Sequence, residues 1–168
     1  EYHNRRPSDG EGAAVTVNLS QAVNSSDTAV AGTSMNGLAN GSYALGAAID
    51  NRPTAGSVVS YDVADIAIGL SSAVTAGSGT PNVVVWILPA VDGTNYPSPP
   101  GGSAGAAQPG LSYTFRQVAS VSTQYIVLRD IPIPPYLFKV QIQNNLGVSF
   151  PATNTSTCQM FRKTQASW

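Results

Sequence analysis

Residues able to do acid and base chemistry are sparse in this sequence, and the closest structured pair is Asp62 and Asp65. Both belong to the segment DVADIAIGL, where apolar residues take every second position and predict a β-strand. Side chains three residues apart on a strand point to opposite faces of the sheet. We therefore do not expect the two carboxylates to work as an acid and base pair.

The groups that bind metals or act as nucleophiles are also isolated. His3 has no second His or Cys nearby, whereas a zinc site needs three or four protein ligands. Cys158 has no local His partner, and a lone thiol in a strand is ordinarily a small half-buried residue. The glycine-rich stretches lack the lysine and following helix of a phosphate cradle. The sequence therefore predicts a protein that is not an enzyme and holds no cofactor or metal.

Aromatic residues outside the apolar blocks are the remaining candidates for binding. Tyr96 lies in a proline-rich loop, and Trp168 is the last residue of the sequence. Tyrosine provides contact area at low entropy cost, so Tyr96 suits a protein interface or a sugar platform. A third interpretation is a tyrosine folded back onto its own domain. If Trp168 is ordered, we expect it to dock on protein.

The composition limits the partners. Only 10% of the 168 residues are charged, against roughly 25% in an ordinary globular protein, so small and uncharged polar residues must build most of the surface. Such a surface suits packing against other protein. The net charge of -1, with scattered Lys and Arg, provides no basic stripe for phosphates. We expect neither nucleic acid nor a membrane as partner.

The N-terminal half predicts an arm and loosely patterned strands. Residues 1–12 are polar and have little to bury, so they are expected to form an extended arm that contacts protein through Tyr2, Arg5 and Arg6. Strands are predicted at Ala13–Leu19 and Ser42–Asp50. Between them, Gln21–Gly41 is expected to be turn and loop with one short strand. In VADIAIGL the alternation predicts a buried face of Ala64, Ile66, Ile68 and Leu70.

The C-terminal half carries stronger strand patterns. The block VVVWIL, Val83 to Leu88, does not alternate and predicts a strand covered on both faces and followed by the strand-breaking Pro89. Asp92 and Gly93 mark a turn, and a long Gly/Pro-rich loop follows, in which Pro99 and Pro100 are candidate interface residues. Further strands are predicted at LSYTF, YIVLR and TCQMFRKT.

The segment YLFKVQIQNNLGVSF gives the strongest local signal. Its alternation predicts a buried face made of Tyr136, Phe138, Val140 and Ile142. The opposite face then holds Lys139, Gln141 and Gln143. Asn144, Asn145 and Gly147 accept positive φ, so we predict a hairpin whose returning strand begins at Val148 and Phe150.

Several short strands separated by turns, without a capped helical period, predict an all-β fold with few and short helices. We expect an antiparallel β-sandwich, jelly-roll-like or Greek key, formed as a single domain by residues 13–168 behind the N-terminal arm. Whether its sheets close into a barrel stays open. The single cysteine excludes an internal disulfide, so burial and strand pairing must provide the stability.

The region from about Val83 to Arg162 resembles small structural proteins of tailed-bacteriophage virions. The resemblance lies in an apolar strand leading into LPAVDGTNYP, a strand ending in RDIPIPP, and the strand FKVQIQNNLGV. It covers roughly half of the chain and includes little of the N-terminal half.

The resemblance implies a non-enzymatic β-sandwich of the virion, assembled in the cytoplasm of the bacterial host. The expected role is a capsid decoration or cement protein that binds the outside of the phage head and stabilises contacts between capsomers. Its partners would be the major capsid protein and copies of itself, arranged as a homotrimer on a capsid axis. The alternative is a tail or fibre accessory domain that binds host surface carbohydrate through Tyr96.

Overall fold

The computed structural model describes residues 23–53, 61–70, 81–97, 111–116, 124–152 and 157–163. These segments contain eight strands and one helix of four residues. The elements in chain order are β1 Val23–Val30, α1 Gly32–Met35, β2 Tyr43–Asp50, β3 Val63–Leu70, β4 Asn82–Ala90, β5 Leu111–Arg116, β6 Gln124–Pro132, β7 Leu137–Asn145 and β8 Thr157–Lys163.

The strands form two antiparallel sheets of four strands each. The first sheet has the order β1-β8-β3-β6 and the second has the order β2-β7-β4-β5. Strand β1 pairs with β8, β2 with β7, β3 with β6 and β4 with β5, as in one long hairpin rolled up into a sandwich. This is the strand order of a jelly roll. The all-β sandwich prediction is confirmed, and the sheets do not close into a barrel.

Alternating side chains build the core between the sheets. The predicted inward face of β3 is confirmed, since Ala64, Ile66, Ile68 and Leu70 are fully buried. Across the sandwich they face apolar residues of β4 and β7 in one cluster. Burying each large aliphatic or aromatic side chain contributes about 1.5–3 kcal/mol, so this cluster provides most of the favourable free energy.

Strand β4 differs from its prediction. Its inward residues are buried, but Val84 and Trp86 on the outward face are only half-buried. The strand also continues through Pro89 to Ala90, where Pro89 lies opposite Phe138 of β7. The pairing with β5 has already ended at Ile87, so the missing N–H of Pro89 removes no described ladder bond.

The predicted hairpin after β7 is wrong. Strands β7 and β8 belong to different sheets, because residues 146–152 carry the chain from one layer to the other. Gly147 has the expected positive φ of 80°, but Phe150 is buried in the core cluster instead of starting a returning strand. Tyr136 precedes β7 and is exposed, so it does not share the buried face of Phe138.

The N-terminal half contains a strand that the sequence pattern did not indicate at its full length. The segment predicted to be mainly loop contains the eight-residue strand β1. It approaches β2 so closely that a Cβ on Gly46 would overlap the carbonyl oxygen of Ala29. The arm of residues 1–12 and the strand predicted at Ala13–Leu19 lie outside the described residues.

Two buried asparagines join the connections at opposite ends of the sandwich. At one end, the amide of Asn144 donates to the carbonyl oxygens of Leu38 at 2.7 Å and Val148 at 2.8 Å. Its Oδ1 accepts from the backbone N–H of Leu146 at 3.0 Å. At the other end, the Asn51 amide donates to the carbonyl oxygens of Tyr61 and Pro134, both at 2.8 Å.

We predict that Asn144→Ala destabilises the protein by about 3 kcal/mol, because two carbonyl groups and one N–H lose their buried partner. Chemical denaturation measures this loss. The control is Asn145→Ala, which removes an outward, half-buried amide and should cost less than about 1 kcal/mol. Equal stability of the two variants would contradict the role of Asn144 in closing this end.

Candidate binding surfaces

Charge divides the two ends of the sandwich. The low-charge pole is the end formed by residues 31–42 and 146–152, together with the strand ends beside them. Segments 28–49, 66–91, 117–128 and 140–161 contain no Asp, Glu, Lys or Arg. Among the described residues, Arg116 at the end of β5 is the one charged residue placed toward this pole. The low-charge pole therefore presents mainly Ser, Thr, Asn, Gly and Ala.

The charged pole is the opposite end, formed by residues 51–53, 61–62, 91–97 and 133–136 with the adjoining strand ends. Arg162 connects several parts of it. Its Nε donates to Asp27 at 2.7 Å, and its Nη1 donates to the carbonyl oxygen of Asp50 at 2.7 Å. The guanidinium also lies 4.7 Å from the ring centre of Tyr61. These contacts hold the segments of the charged pole together. They also pair the Arg162 guanidinium with groups of its own chain.

A second ionic cluster lies where β6 bulges against β3. The Nζ of Lys163 contacts Asp65 at 2.7 Å and Asp130 at 2.9 Å. Asp130 has a positive φ of 54°, and its N–H donates to Asp65 at 3.0 Å. This arrangement places a nearly buried ammonium group between two carboxylates.

The pKa shifts in this cluster favour the ionised forms. Burial alone raises the pKa of Asp65, but hydrogen bonds from Lys163 and the Asp130 N–H outweigh it and hold the pKa below its usual value. Burial lowers the pKa of Lys163, and its bonds to the two carboxylates more than reverse this. Asp65 is therefore an ionised partner of Lys163 and not a proton donor.

Tyr96 is the sequence-predicted interface residue that lies within the described part of the chain. Its loop begins with the predicted turn, in which Gly93 has φ 77° and its N–H donates to the carbonyl oxygen of Ala90 at 2.9 Å. The Nζ of Lys139, on β7, lies 4.3 Å from the centre of the Tyr96 ring. Tyr96 is thus folded against its own sheet, with an ammonium over one face of the ring. The other candidates, Tyr2, Arg5, Arg6, Pro99, Pro100 and Trp168, lie outside the described residues.

The outward face of the second sheet is a surface that the sequence interpretation missed. Trp86 of β4 and Tyr43 of β2 lie with ring centres 6.0 Å apart and planes tilted by 46°. The Nε2 of Gln143, on β7 between them, donates to the Tyr43 hydroxyl at 2.9 Å. The available signal was the two-residue period of a β-strand, which puts Trp86 on the face opposite Val85 and Ile87 even though every residue of VVVWIL is apolar.

The described residues include no cluster of three or more His, Cys, Asp or Glu able to hold a metal ion. Burial raises the pKa of the Cys158 thiol to about 12, against a smaller opposing effect of a backbone bond involving Val30. No helix within the described ranges is long and apolar enough to span a membrane.

Comparison of the chain with models of protein families, with curated proteins and with solved structures gave no match.

The stability of the turn before Tyr96 should depend on pH, because the Asp92 carboxylate accepts its hydrogen bonds. Asp92 accepts from the N–H groups of Asn95 at 2.7 Å and Thr94 at 2.9 Å, and from the Asn95 side chain. These bonds lower the pKa of Asp92 to about 2. Since the folded pKa is below the unfolded one, the turn's stabilisation is complete above about pH 4 and is lost as the pH falls toward 2.

We expect carboxyl NMR titration to show Asp92 with a pKa near 2. Asn95→Ala should raise it toward the usual value of about 3.9, because a side-chain donor is lost. In Asp92→Asn the Oδ1 acceptor is kept without a titrating group, so unfolding free energy should fall less steeply between about pH 4 and pH 2. An Asp92 pKa near 3.9 in the wild type would contradict the preorganised turn.

Proposed function

We propose that this chain is a non-enzymatic structural protein of a tailed-phage virion, which binds the outside of the head and stabilises contacts between capsomers. The observation that carries the proposal is the low-charge pole. Centres of protein–protein interfaces are depleted of charged residues, since every buried charge needs a partner. Because this pole carries few charges, it is poorly suited to attracting a distant partner electrostatically. It is well suited to close packing against another protein surface.

The described part of the low-charge pole is also held in a defined shape. Residues 31–42 and 146–152 are joined by backbone bonds, including Gly37 N to Pro151 O at 3.0 Å and Phe150 N to Leu38 O at 2.9 Å. The N–H of Gly147 donates to the Asn40 side chain at 2.8 Å. A surface held in its bound shape loses less conformational entropy on docking, which supports a permanent structural contact.

The architecture supports the same proposal at a coarser level. Jelly rolls form viral capsid domains, although they also occur in lectins and cupins, so the fold alone does not assign a role. The resemblance of LPAVDGTNYP, RDIPIPP and FKVQIQNNLGV to phage structural proteins favours the virion among these choices.

On this proposal the partners are the major capsid protein and neighbouring copies of the chain, as a homotrimer. The low-charge pole faces the capsid and the charged pole faces solvent. Exposed carboxylates and guanidinium groups at the outer end would then keep the particle surface hydrated and limit association between particles. Assembly takes place in the cytoplasm of the bacterial host.

The location is tested by the copy number of the chain in purified particles. Quantitative mass spectrometry against the major capsid protein should give a number of the same order for both proteins. A number lower by orders of magnitude would contradict the head location and favour the tail. Absence from purified particles would overturn the virion assignment.

The docking surface is tested by adding purified protein to particles that lack it and measuring co-sedimentation. Ala39, exposed on the low-charge pole, is changed to lysine, which should weaken attachment at least about tenfold because a charge enters the interface. Ala39→Ser should attach normally. Val91→Lys, at a 72% exposed site on the charged pole, is the matched control and should also attach normally. Loss with Val91→Lys and not with Ala39→Lys would reverse the proposed orientation.

A further inference from the structure

Two adjacent rows of residues across the four strands of the second sheet carry no charge. Cross-strand register puts Leu45, Gln141, Trp86 and Ser112 in one row. The next row consists of Tyr43, Gln143, Val84 and Thr114. We call the part made by Tyr43, Leu45, Trp86 and Gln143 the aromatic–amide shelf. The side chains of Tyr43, Leu45, Trp86 and Gln143 alternate with the core residues of their strands, and Gln141, opposite both Leu45 and Trp86, is itself buried with 3% exposed.

A chain of hydrogen bonds orders the polar part of the shelf. The Asn145 amide donates to Asn82 Oδ1 at 3.3 Å and to Gln143 Oε1 at 3.2 Å. Gln143 in turn donates to the Tyr43 hydroxyl at 2.9 Å. The Tyr43 oxygen therefore acts as acceptor in this chain, and its own proton can be donated outward. The amide planes are held in place before any ligand arrives.

The apolar part of the shelf is partly accessible to solvent. Leu45 is 41% exposed, and Trp86 and Tyr43 are half-buried side by side. Indole and phenol rings with one accessible face pack well against C–H groups, while their polar atoms bind at the rim. A ligand that fits needs an apolar ring face and hydroxyl groups around its edge.

The neighbouring rows limit the ligand's charge. In the row on one side, Lys139 faces outward, and its Nζ lies 4.3 Å from the centre of the Tyr96 ring. Leu88, opposite Lys139, is buried although it also faces outward, so protein covers this row. On the other side, Arg116 stands opposite Asn82 on the edge strand. The two rows between them contain no charged residue in any of the four strands.

We propose that the aromatic–amide shelf binds a neutral oligosaccharide. A sugar ring stacks its C–H face on Trp86, and its hydroxyl groups exchange hydrogen bonds with Gln143 and Tyr43. Two rows about 7 Å apart, crossing strands spaced about 4.8 Å, provide room for two or three sugar rings. This site is separate from the Tyr96 ring and does not depend on the proposed head location.

Isothermal titration calorimetry with the full chain tests the proposal. The probes are cellohexaose, maltohexaose and mannohexaose, with hexagalacturonate as the anionic comparison. At least one neutral hexasaccharide should bind with a Kd below about 1 mM. Trp86→Ala should weaken that binding about tenfold or more, since the stacking surface is lost. Gln143→Ala should weaken it several-fold.

Two further variants keep the test decisive. Trp86→Phe retains a ring and should retain part of the affinity, which covers the case in which Trp86→Ala fails to fold. Tyr125→Ala removes a 75% exposed tyrosine from the outward face of the other sheet and should bind normally. The proposal is overturned if none of the neutral probes binds up to about 10 mM, if hexagalacturonate binds more tightly, or if Trp86→Phe and Gln143→Ala both bind like the wild type.

Discussion

The rest of this structure depends on satisfying the backbone where the chain crosses between two sheets. Among the described strands, β4 and β5 are the one consecutive pair that shares a sheet, and the described connecting segments 31–42, 133–136 and 146–152 pass over an end of the core. Carbonyl and N–H groups on these crossings are taken out of water without a ladder to pair with. Asn144 and Asn51 supply the missing partners, and each joins backbone segments that are distant in sequence.

The two ends of the sandwich satisfy these backbone groups with different side chains. The same difference is seen in the charge of their surfaces. At the low-charge pole, an amide and backbone bonds close the end above Leu146 and Phe150, so no ion is needed. At the charged pole, Asn51 is supplemented by Arg162, which donates to Asp27 and lies over the Tyr61 ring. A buried amide needs hydrogen-bond partners, but a buried charge that lacks its partner costs considerably more. The end closed by amides is therefore the better surface for dry contact with protein, which is the basis of the proposed docking orientation.

Patterns with a period of two residues predicted most of the strands, because alternation reports directly on the buried face. Strand β3 and the Phe138, Val140 and Ile142 face of β7 follow this rule. The hairpin after β7 failed because Asn144, Asn145 and Gly147 signal a reversal without showing which sheet the chain enters. Asn144 in fact holds the crossing together. The aromatic–amide shelf was missed for another reason: Tyr43 and Gln143 are 100 residues apart, so no local window brings them together.

Packing changes the role expected for Tyr96, which the sequence singles out as a candidate binding residue. In a proline-rich loop it suggested a free aromatic platform, but Lys139 lies over its ring. This cation–π contact occupies the ammonium group of Lys139, which lies on the outward face of β7. The contact also helps to keep residues 91–97 near the sheet. The next row, which contains Leu45, Gln141 and Trp86, has no charged residue, and Leu45 is exposed while Trp86 is half-buried. If both proposals hold, Tyr96 does not bind the ligand but borders its site. The domain can then attach by one end and present a sheet face, because end and face are separate surfaces of one rigid sandwich.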